Sequence, residues 1–219
     1  MHNCSSDMLL HWNGKQFLVS FSYLLLKVIV IMKSLIPVIL SSLLLTACAS
    51  YEPSQIGLNP TLGAVSLQTE SDTQVLIETI DTREASFVLR ITEGDKAPQL
   101  IGTTEPMRQQ LDKVFRNGMI RAGYVVDPAA RNSVQFQLHY LLADVTDTTF
   151  SFESQTRLVI NVLAKNAQQQ FTKSYNANGY LKGPLSPDFA TLELDINQLI
   201  DKLTTEILND DELHQFIQR

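Results

Sequence analysis

The stretch VQFQLHYLL, residues 134–142, decides the fold that the sequence predicts. Apolar and polar side chains alternate along it, and a period of two is typical of a β-strand that buries one face. The predicted apolar face consists of Val134, Phe136, Leu138, Tyr140 and Leu142. The alternation therefore predicts a long strand with one face on a hydrophobic core.

Two more strands are predicted directly after this one. Residues 144–149 form a polar turn, after which apolar side chains alternate again over 150–162. A third strand, residues 171–180, follows a polar turn at 166–169. Consecutive strands joined by short turns pair antiparallel, so we expect a meander. Its other face, which would meet water or a partner, is predicted to carry Gln135, Gln137, His139, Glu153 and Arg157.

Three shorter strands are predicted upstream. Residues 75–80 and 87–91 are rich in β-branched and other apolar side chains, and the polar segment DTRE, residues 81–84, separates them. A further short strand is predicted over 99–101.

The hydrophobic period changes from two to that of a helix in residues 104–122. Apolar side chains recur there at three- and four-residue spacings, at Met107, Leu111, Val114, Phe115, Met119 and Ala122. Thr104 is the predicted N-cap, Pro106 is tolerated in a first turn, and Gly123 is predicted to end the helix.

A second amphipathic helix is predicted near the C-terminus. Its apolar stripe is formed by Leu192, Ile196, Leu199, Ile200, Leu203 and Ile207. Asp188 marks its predicted start and Asn209 its end, and Asp210 is predicted to cap a short final helix.

Two helical stripes and one sheet face are most simply buried by packing them together. We therefore predict an α+β fold, a two-layer sandwich of a mainly antiparallel sheet with two amphipathic helices on one face. This domain is predicted to span residues 61–219.

The composition of the 219-residue chain excludes several classes of protein. A chain with 44% apolar and 18% charged residues is not intrinsically disordered. Its net charge of −6 argues against a nucleic-acid partner. Two cysteines exclude a disulfide framework, and four histidines are too few for most metal sites. We predict neither a metal nor a cofactor other than a covalent lipid.

That lipid is predicted at Cys48. The tetrapeptide LTAC, residues 45–48, follows an apolar run and resembles the lipobox of bacterial lipoproteins. The resemblance implies a diacylglyceryl group on the Cys48 thiol, cleavage of the signal peptide after Ala47, and an N-acyl chain on the freed amine. The alternative is a buried or incidental cysteine at the end of an apolar helix.

The segment before Cys48 is longer than a signal peptide of about 15–30 residues. Counted from Met32, it has ordinary length and a basic start. We therefore predict a signal peptide over 32–47, with residues 1–31 an upstream extension from a misassigned start. The alternative is an uncleaved membrane span over roughly 17–45, which length alone permits.

The residues after Cys48 predict the location of the protein. Ala49 and Ser50 follow it, and lipoproteins without an Asp at this place are typically transferred to the outer membrane, facing the periplasm. Residues 48–60 contain two prolines and a glycine and are predicted to be a lipidated tether.

Several scattered motifs resemble one family. DTR at 81–83, AGYV at 122–125, LADV at 142–145 and HQFI at 214–217, together with the lipobox, are similar to the YajG family of bacterial outer-membrane lipoproteins. The resemblance implies a small periplasm-facing lipoprotein of uncharacterised biochemical function.

Catalytic and metal-binding motifs are absent from the sequence after Cys48. It has no Gly-x-Ser-x-Gly turn, no phosphate-binding glycine run, and only His139 and His214 as histidines. His139 is predicted to be solvated. His214 is predicted to pair on the surface with Asp210 or Asp211.

Asp81 and Arg83 are the strongest polar candidates for a site. Side chains two apart on an extended segment point the same way, so a ligand could meet both a carboxylate and a guanidinium. The alternative is that the pair fastens the end of the strand to a neighbouring element.

The sequence thus predicts a non-enzymatic, lipid-anchored module that binds an envelope protein. An envelope hydrolase or transferase acting on cell-wall fragments is the alternative. A carrier of small molecules between the helices and the sheet is a third possibility.

Overall fold

The strand predicted from Val134 belongs to β6 (Ser133–Asp147), the central strand of the sheet. The computed structural model describes residues 54–69 and 72–219. β6 pairs antiparallel with β7 (Ser151–Lys165), and β7 pairs antiparallel with β8 (Gln170–Pro184). The predicted meander is confirmed.

The strands that pair with the opposite edge of β6 differ from the predicted topology. β2 (Gln74–Asp81) and β3 (Leu89–Glu93) both pair parallel with β6. β4 (Gln99–Thr103) pairs antiparallel with β3, whereas β1 (Gln55–Ile56) is parallel to β4, and β5 (Val125–Val126) is parallel to β2. The α+β class is confirmed, but the sheet is mixed and curled into a half-barrel rather than mainly antiparallel. Alternation looks the same in parallel and antiparallel strands, so the sequence pattern could not distinguish them.

Three helices cover this sheet in the described part of the chain: α1 (Met107–Arg121), α2 (Phe189–Leu208) and α3 (Asp211–Ile217). Asp188 caps α2 by accepting a hydrogen bond from the backbone N–H of Ala190. Asp210 caps α3 in the same way, so both predicted caps are confirmed. None of the helices in the described ranges is long and apolar enough to span a membrane.

The start of α1 differs from the prediction. Its N-cap is Pro106, which makes no side-chain capping bond, and not Thr104. The backbone N–H of Thr104 instead donates to the carbonyl of Ile56, which extends the contact between β4 and β1. Gly123 ends the helix as predicted, since its φ of 98° is one that glycine adopts without strain.

The core between the helices and the sheet is filled by side chains. Phe115 of α1 stacks on Phe136 of β6 with ring centroids 3.8 Å apart. The two helices α1 and α2 approach closely at Gly118, where an added Cβ would lie 2.3 Å from Cδ1 of Leu208.

An extended segment after β1 lies along α2. The backbone N–H groups of Gly57, Asn59 and Thr61 donate to side chains of α2, at distances of 2.8, 2.9 and 2.7 Å respectively. Ile56 and Leu58 are buried in the core, although the sequence placed them in the tether over 48–60.

Candidate functional site

A β-bulge in the middle of β6 creates the candidate site. The register with β7 is regular up to the pair Leu138–Ile160 and resumes at Tyr140–Val159, so His139 is the extra residue. A bulge of this kind reverses which face the following side chains occupy. Leu141, on the far side of the bulge, therefore faces the core.

This reversal corrects the predicted apolar face. Val134, Phe136 and Leu138 are buried on the inner face, as expected. Tyr140 lies on the outer face instead, with 39% of its surface exposed, opposite Val159. Leu142 also lies on the outer face, opposite Arg157. Three consecutive apolar residues at 140–142 break the alternation that a regular half-buried strand would show. This break was the sequence signal for the bulge.

The same part of β6 lacks a strand partner on its other edge. β2 leaves β6 at the pair Asp81–Leu138, and β3 joins it at the pair Leu89–Ala143. The connection between them spans the gap. Thr82 donates its backbone N–H to the carbonyl of Leu138 at 2.9 Å, and the carbonyl of Val88 accepts from Ala143 at 2.8 Å.

A cavity of about 430 Å³ opens at this gap, a volume within the range of small-ligand sites. Its walls come from the connection after β2, from β3 and from the bulged part of β6. They include Arg83, Glu84, Phe87, Arg90, His139, Tyr140 and Leu142. Phe87 lies in the predicted strand 87–91, but β3 begins only at Leu89, which leaves Phe87 in the cavity wall.

Asp81 and Arg83 are brought together as a pair at the edge of this cavity. Nε and Nη2 of Arg83 donate to the two carboxylate oxygens of Asp81 at 2.9 and 2.8 Å. The side chain of Arg83 is only 7% exposed. Its Nη1 is buried and has no hydrogen-bond partner among the described residues. The two side chains bind each other and not a neighbouring element, and one buried donor group of Arg83 has no partner among the described residues.

A second arginine of the cavity is also paired. Arg90 of β3 lies opposite Asp144 of β6, and its Nε donates to Oδ1 of Asp144 at 2.7 Å. This hydrogen bond and the negative charge of Asp144 raise the pKa of Arg90 above its ordinary value. Arg90 therefore stays charged in the cavity wall.

A neighbouring cavity of about 380 Å³ shares Tyr140 and Leu142 with the first. Its remaining walls come from β6, β7 and β8 and include Asp144, Gln155, Arg157, Asn178 and Tyr180. The guanidinium of Arg157 lies over the ring of Tyr140, 5.5 Å from its centroid. The two cavities adjoin at these shared residues, and we call them together the outer-face groove.

His214 occupies a different place from the predicted one. It is 1% exposed, not on the surface, because α3 packs against the core. Nε2 of His214 lies 2.9 Å from the carbonyl of Leu208, and Nδ1 lies 2.9 Å from the hydroxyl of Tyr124. The carbonyl requires a proton on Nε2, so the Tyr124 hydroxyl donates to Nδ1 of the neutral ring. Burial lowers the pKa of His214, which keeps the ring neutral.

The chemistry of the outer-face groove suits recognition. The described residues that line it include no serine or cysteine nucleophile. The carboxylate of Asp144 is occupied by Arg90. No group of three or more His, Cys, Asp or Glu side chains in the described ranges is arranged to hold a metal ion. Besides Glu84 and His139, the groove offers guanidinium groups, tyrosine rings and amide side chains.

Comparison with known proteins connects this fold to one family. A family described as uncharacterized lipoprotein matches residues 60–218, which include almost all of the described domain. The chain belongs to the YajG family of lipoproteins. The chain is similar to the uncharacterized lipoprotein YajG of Escherichia coli strain K12, at 24% identity over 180 residues. That match covers 80% of this chain and 92% of the relative. YajG of Escherichia coli O6:H1 matches to the same extent.

Solved structures show a more distant likeness. A crystal structure of a Xanthomonas campestris protein aligns with 75% of this chain and 99% of its own, with 12% identity and a TM-score of 0.48. The YajG relatives are named uncharacterized, so their names supply no reaction or ligand.

Proposed function

We propose that this YajG-family protein is a lipid-anchored, non-enzymatic binding module on the periplasmic face of the outer membrane. Its partner is an envelope protein that docks in the outer-face groove. The observation that carries the binding proposal is the buried, unpartnered Nη1 of Arg83 in the wall of an open cavity.

The anchor is proposed at Cys48, which lies outside the described residues, as do the predicted signal peptide over 32–47 and the extension over 1–31. Family membership supports the lipobox at 45–48. One acyl chain binds a membrane only marginally, at about 0.8 kcal/mol per buried methylene, whereas two or three chains give stable attachment. Three chains on Cys48 would therefore hold the protein at the membrane permanently.

The binding surface is proposed from the side chains of the outer-face groove. Tyrosine and arginine are the residue types that dominate the energy of protein interfaces, and here Tyr140 and Arg157 form one exposed stack. Nη1 of Arg83 would donate to a carboxylate or carbonyl oxygen of the partner. This atom is covered in the free protein, so a partner would reach it only after a local rearrangement around Arg83.

The enzyme alternative receives less support. Glu84 and His139 line the same cavity and could in principle exchange a proton with a substrate. No hydrogen bond joins these two side chains in the described structure. The carrier alternative would need an open space between helices and sheet, where Phe115 and Phe136 instead stack at 3.8 Å.

Photocrosslinking in intact cells tests the binding proposal. A photoreactive phenylalanine derivative replaces Tyr140 in the groove or, as the control, Ile120 on the exposed side of α1. We expect a covalent adduct with one envelope protein from position 140 and not from position 120. Arg157→Ala should weaken that adduct. Equal labelling from both positions, or none from position 140, would overturn the groove as the binding surface.

Two biochemical measurements test the rest of the proposal. Intact-mass analysis of protein from membranes should show an acylated chain that begins at Cys48. A chain that retains Ala47 and a free thiol contradicts the anchor. Release of soluble fragments from purified cell wall by the protein alone contradicts the non-enzymatic role.

A further inference from the structure

Three turns meet at one end of the sheet. β3 and β6 run parallel and end side by side, at the pair Glu93–Asp147. The turn between β3 and β4, the turn between β6 and β7, and the segment after β8 therefore lie together. A shallow cavity is lined by Gly94 from the first, Thr148 from the second and Ser186 from the third. We call this end, residues 94–98, 148–150 and 185–188, the tip.

The tip carries the two most exposed large apolar side chains of the described residues. Phe150 is 81% exposed and Leu185 is 65% exposed. They are neighbours, because the backbone N–H of Leu185 donates to the carbonyl of Phe150 at 3.0 Å. Leu185 has a φ of 60°, a conformation that is uncommon for residues other than glycine. The fold thus holds a leucine in an unfavourable backbone conformation while leaving its side chain in water.

The first described strand, β1, runs away from the tip. β3 runs towards the tip and β4, its antiparallel partner, runs away from it. β1 is parallel to β4 and pairs with its last residues, Gly102 and Thr103, so Gln55 lies on the tip side of Ile56. Cys48 precedes Gln55 by seven residues, and an extended chain of that length spans at most about 25 Å. A lipid on Cys48 therefore has to enter the bilayer within that reach of the start of β1.

We propose that the tip contacts the membrane surface, with Phe150 and Leu185 inserted among the lipids. This inference rests on the proposed anchor at Cys48. A permanent anchor on a short tether keeps the tip close to the bilayer, so even a weak apolar contact is populated. The anchor and the tip together would orient the domain and direct the outer-face groove to one side.

The charges of the tip specify the kind of lipid surface. Asp95 and Asp188 of the tip carry negative charge, as do Glu93 and Asp147 directly beside it, and Lys96 is paired with Glu93 at 2.9 Å. A surface with this balance is repelled by anionic headgroups. We therefore infer that the tip prefers a zwitterionic lipid surface.

Tryptophan fluorescence can measure this contact. The only tryptophan of the chain is Trp12, so a chain that begins at Cys48 has none. Phe150→Trp places a reporter at the tip. Ile120→Trp is the matched control, since it lies close to β5, which pairs with the start of β2 at the opposite end of the sheet. Each lipidated variant is purified and inserted through its anchor into phosphatidylcholine vesicles that contain lipids brominated near the headgroup or deep in the chain.

For Phe150→Trp we expect a blue-shifted emission and quenching that is stronger for the shallow bromines, as for side chains buried about 5–10 Å into the interface. Ile120→Trp should show neither change. Added phosphatidylglycerol should reduce the quenching at position 150. Leu185→Trp provides a second reporter should the first variant not fold.

The outcomes separate the two proposals. If the acylated Phe150→Trp protein stays on the vesicles while its tryptophan emits as in water, the tip contact is overturned and the anchor stays intact. A mass without acyl chains overturns the anchor, and the tip contact with it. A blue shift that depends on protein concentration and not on lipid shows that the tip binds a second copy, which also overturns the membrane contact.

Discussion

Arg83 donates three hydrogen bonds to the carboxylate of Asp81, two from its guanidinium and one from its backbone N–H at 3.2 Å. The two residues are separated by one position, so the bonds close a tight turn directly after β2. That turn begins the connection across the gap in the sheet, and it places Arg83 in the wall of the cavity. A short polar motif thus shapes both the strand end and the candidate binding surface.

The Asp81–Arg83 pair is expected to stabilise the fold. Arg83→Ala leaves the partly covered Asp81 carboxylate without two side-chain donors, and we expect a loss of about 1–3 kcal/mol in the free energy of unfolding. Urea denaturation of Asp81→Ala, Arg83→Ala and the double variant gives the coupling energy, which should exceed about 0.5 kcal/mol. Arg131→Ala, on the exposed surface, is the control. A stable Arg83→Ala protein would mean that the pair serves only a ligand.

The bulge at His139 predicts that truncating Leu141 lowers the unfolding free energy much more than truncating its neighbour Tyr140. Leu141 is buried in the core, so Leu141→Ala should reduce the unfolding free energy by about 2–5 kcal/mol. Tyr140 lies on the outer face, and Tyr140→Ala should cost less than about 1 kcal/mol. If residues 134–142 alternated regularly, Tyr140 would be buried and Leu141 exposed, and Tyr140→Ala would be the more costly substitution. Chemical denaturation of the two variants therefore distinguishes the bulged strand from the regular one.

The buried His214 predicts a pH dependence of stability. Burial lowers the pKa of His214 in the folded state, against the weaker opposing effects of the Leu208 carbonyl, Asp210 and Asp211. Below about pH 6.5, the ordinary pKa of histidine, His214 therefore binds a proton more readily in the unfolded chain than in the folded protein. The contribution of neutral His214 to the unfolding free energy is fully present above that pH. It is lost as the pH drops towards the folded-state pKa.

Urea denaturation between about pH 5 and pH 7.5 measures this effect. His214→Gln should flatten the decrease of stability at the acidic end, whatever it does to stability at neutral pH. His139→Gln is the matched control, because His139 is the other histidine of the described residues and is exposed. If the unfolding free energy fell equally steeply with decreasing pH in the native protein and in His214→Gln, His214 would not be the source of the pH dependence.

Replacing Gly118 by alanine is predicted to destabilise the protein, although helix propensity alone favours alanine. In an exposed helix, alanine is favoured over glycine by about 1 kcal/mol. At position 118 the added methyl group would collide with Leu208 across the contact between α1 and α2. We expect Gly118→Ala to destabilise the protein by about 1–3 kcal/mol, as is typical of overpacked cores. Gly102→Ala, with no atom within 4 Å of the added carbon, controls for the substitution itself, and a thermal melt of both variants compares them.

Local patterns predicted most individual elements. The amphipathic stripes of α1 and α2 predicted both helices, and the caps at Asp188 and Asp210 were confirmed because capping depends on residues two or three positions apart. The three long strands were predicted from alternation and from the short turns between them. These signals act over a few residues, so a sequence displays them directly.

Other features of the candidate site were only partly visible. Asp81 and Arg83 were identified as polar candidates, and the structure places Arg83 in the wall of the cavity and pairs it with Asp81. The parts played by Tyr140 and Arg90 were missed, since each contacts a residue far away in sequence. Phe87 was missed because it was placed in the predicted strand 87–91. His214 was assigned to the surface because the aspartates beside it are visible in the sequence, whereas the burying contact with Tyr124 spans 90 positions.

The sequence by itself determined the helices, the meander, the family and the residues of the lipobox motif. Only the tertiary structure decided that β2 and β3 share one edge of β6, that a bulge turns Tyr140 outwards, and that a cavity opens between them. The physical reason is that a side-chain pattern reports whether a residue is buried, but not which strand lies beside it. Strand direction and register depend on contacts between distant segments, and those contacts create the groove.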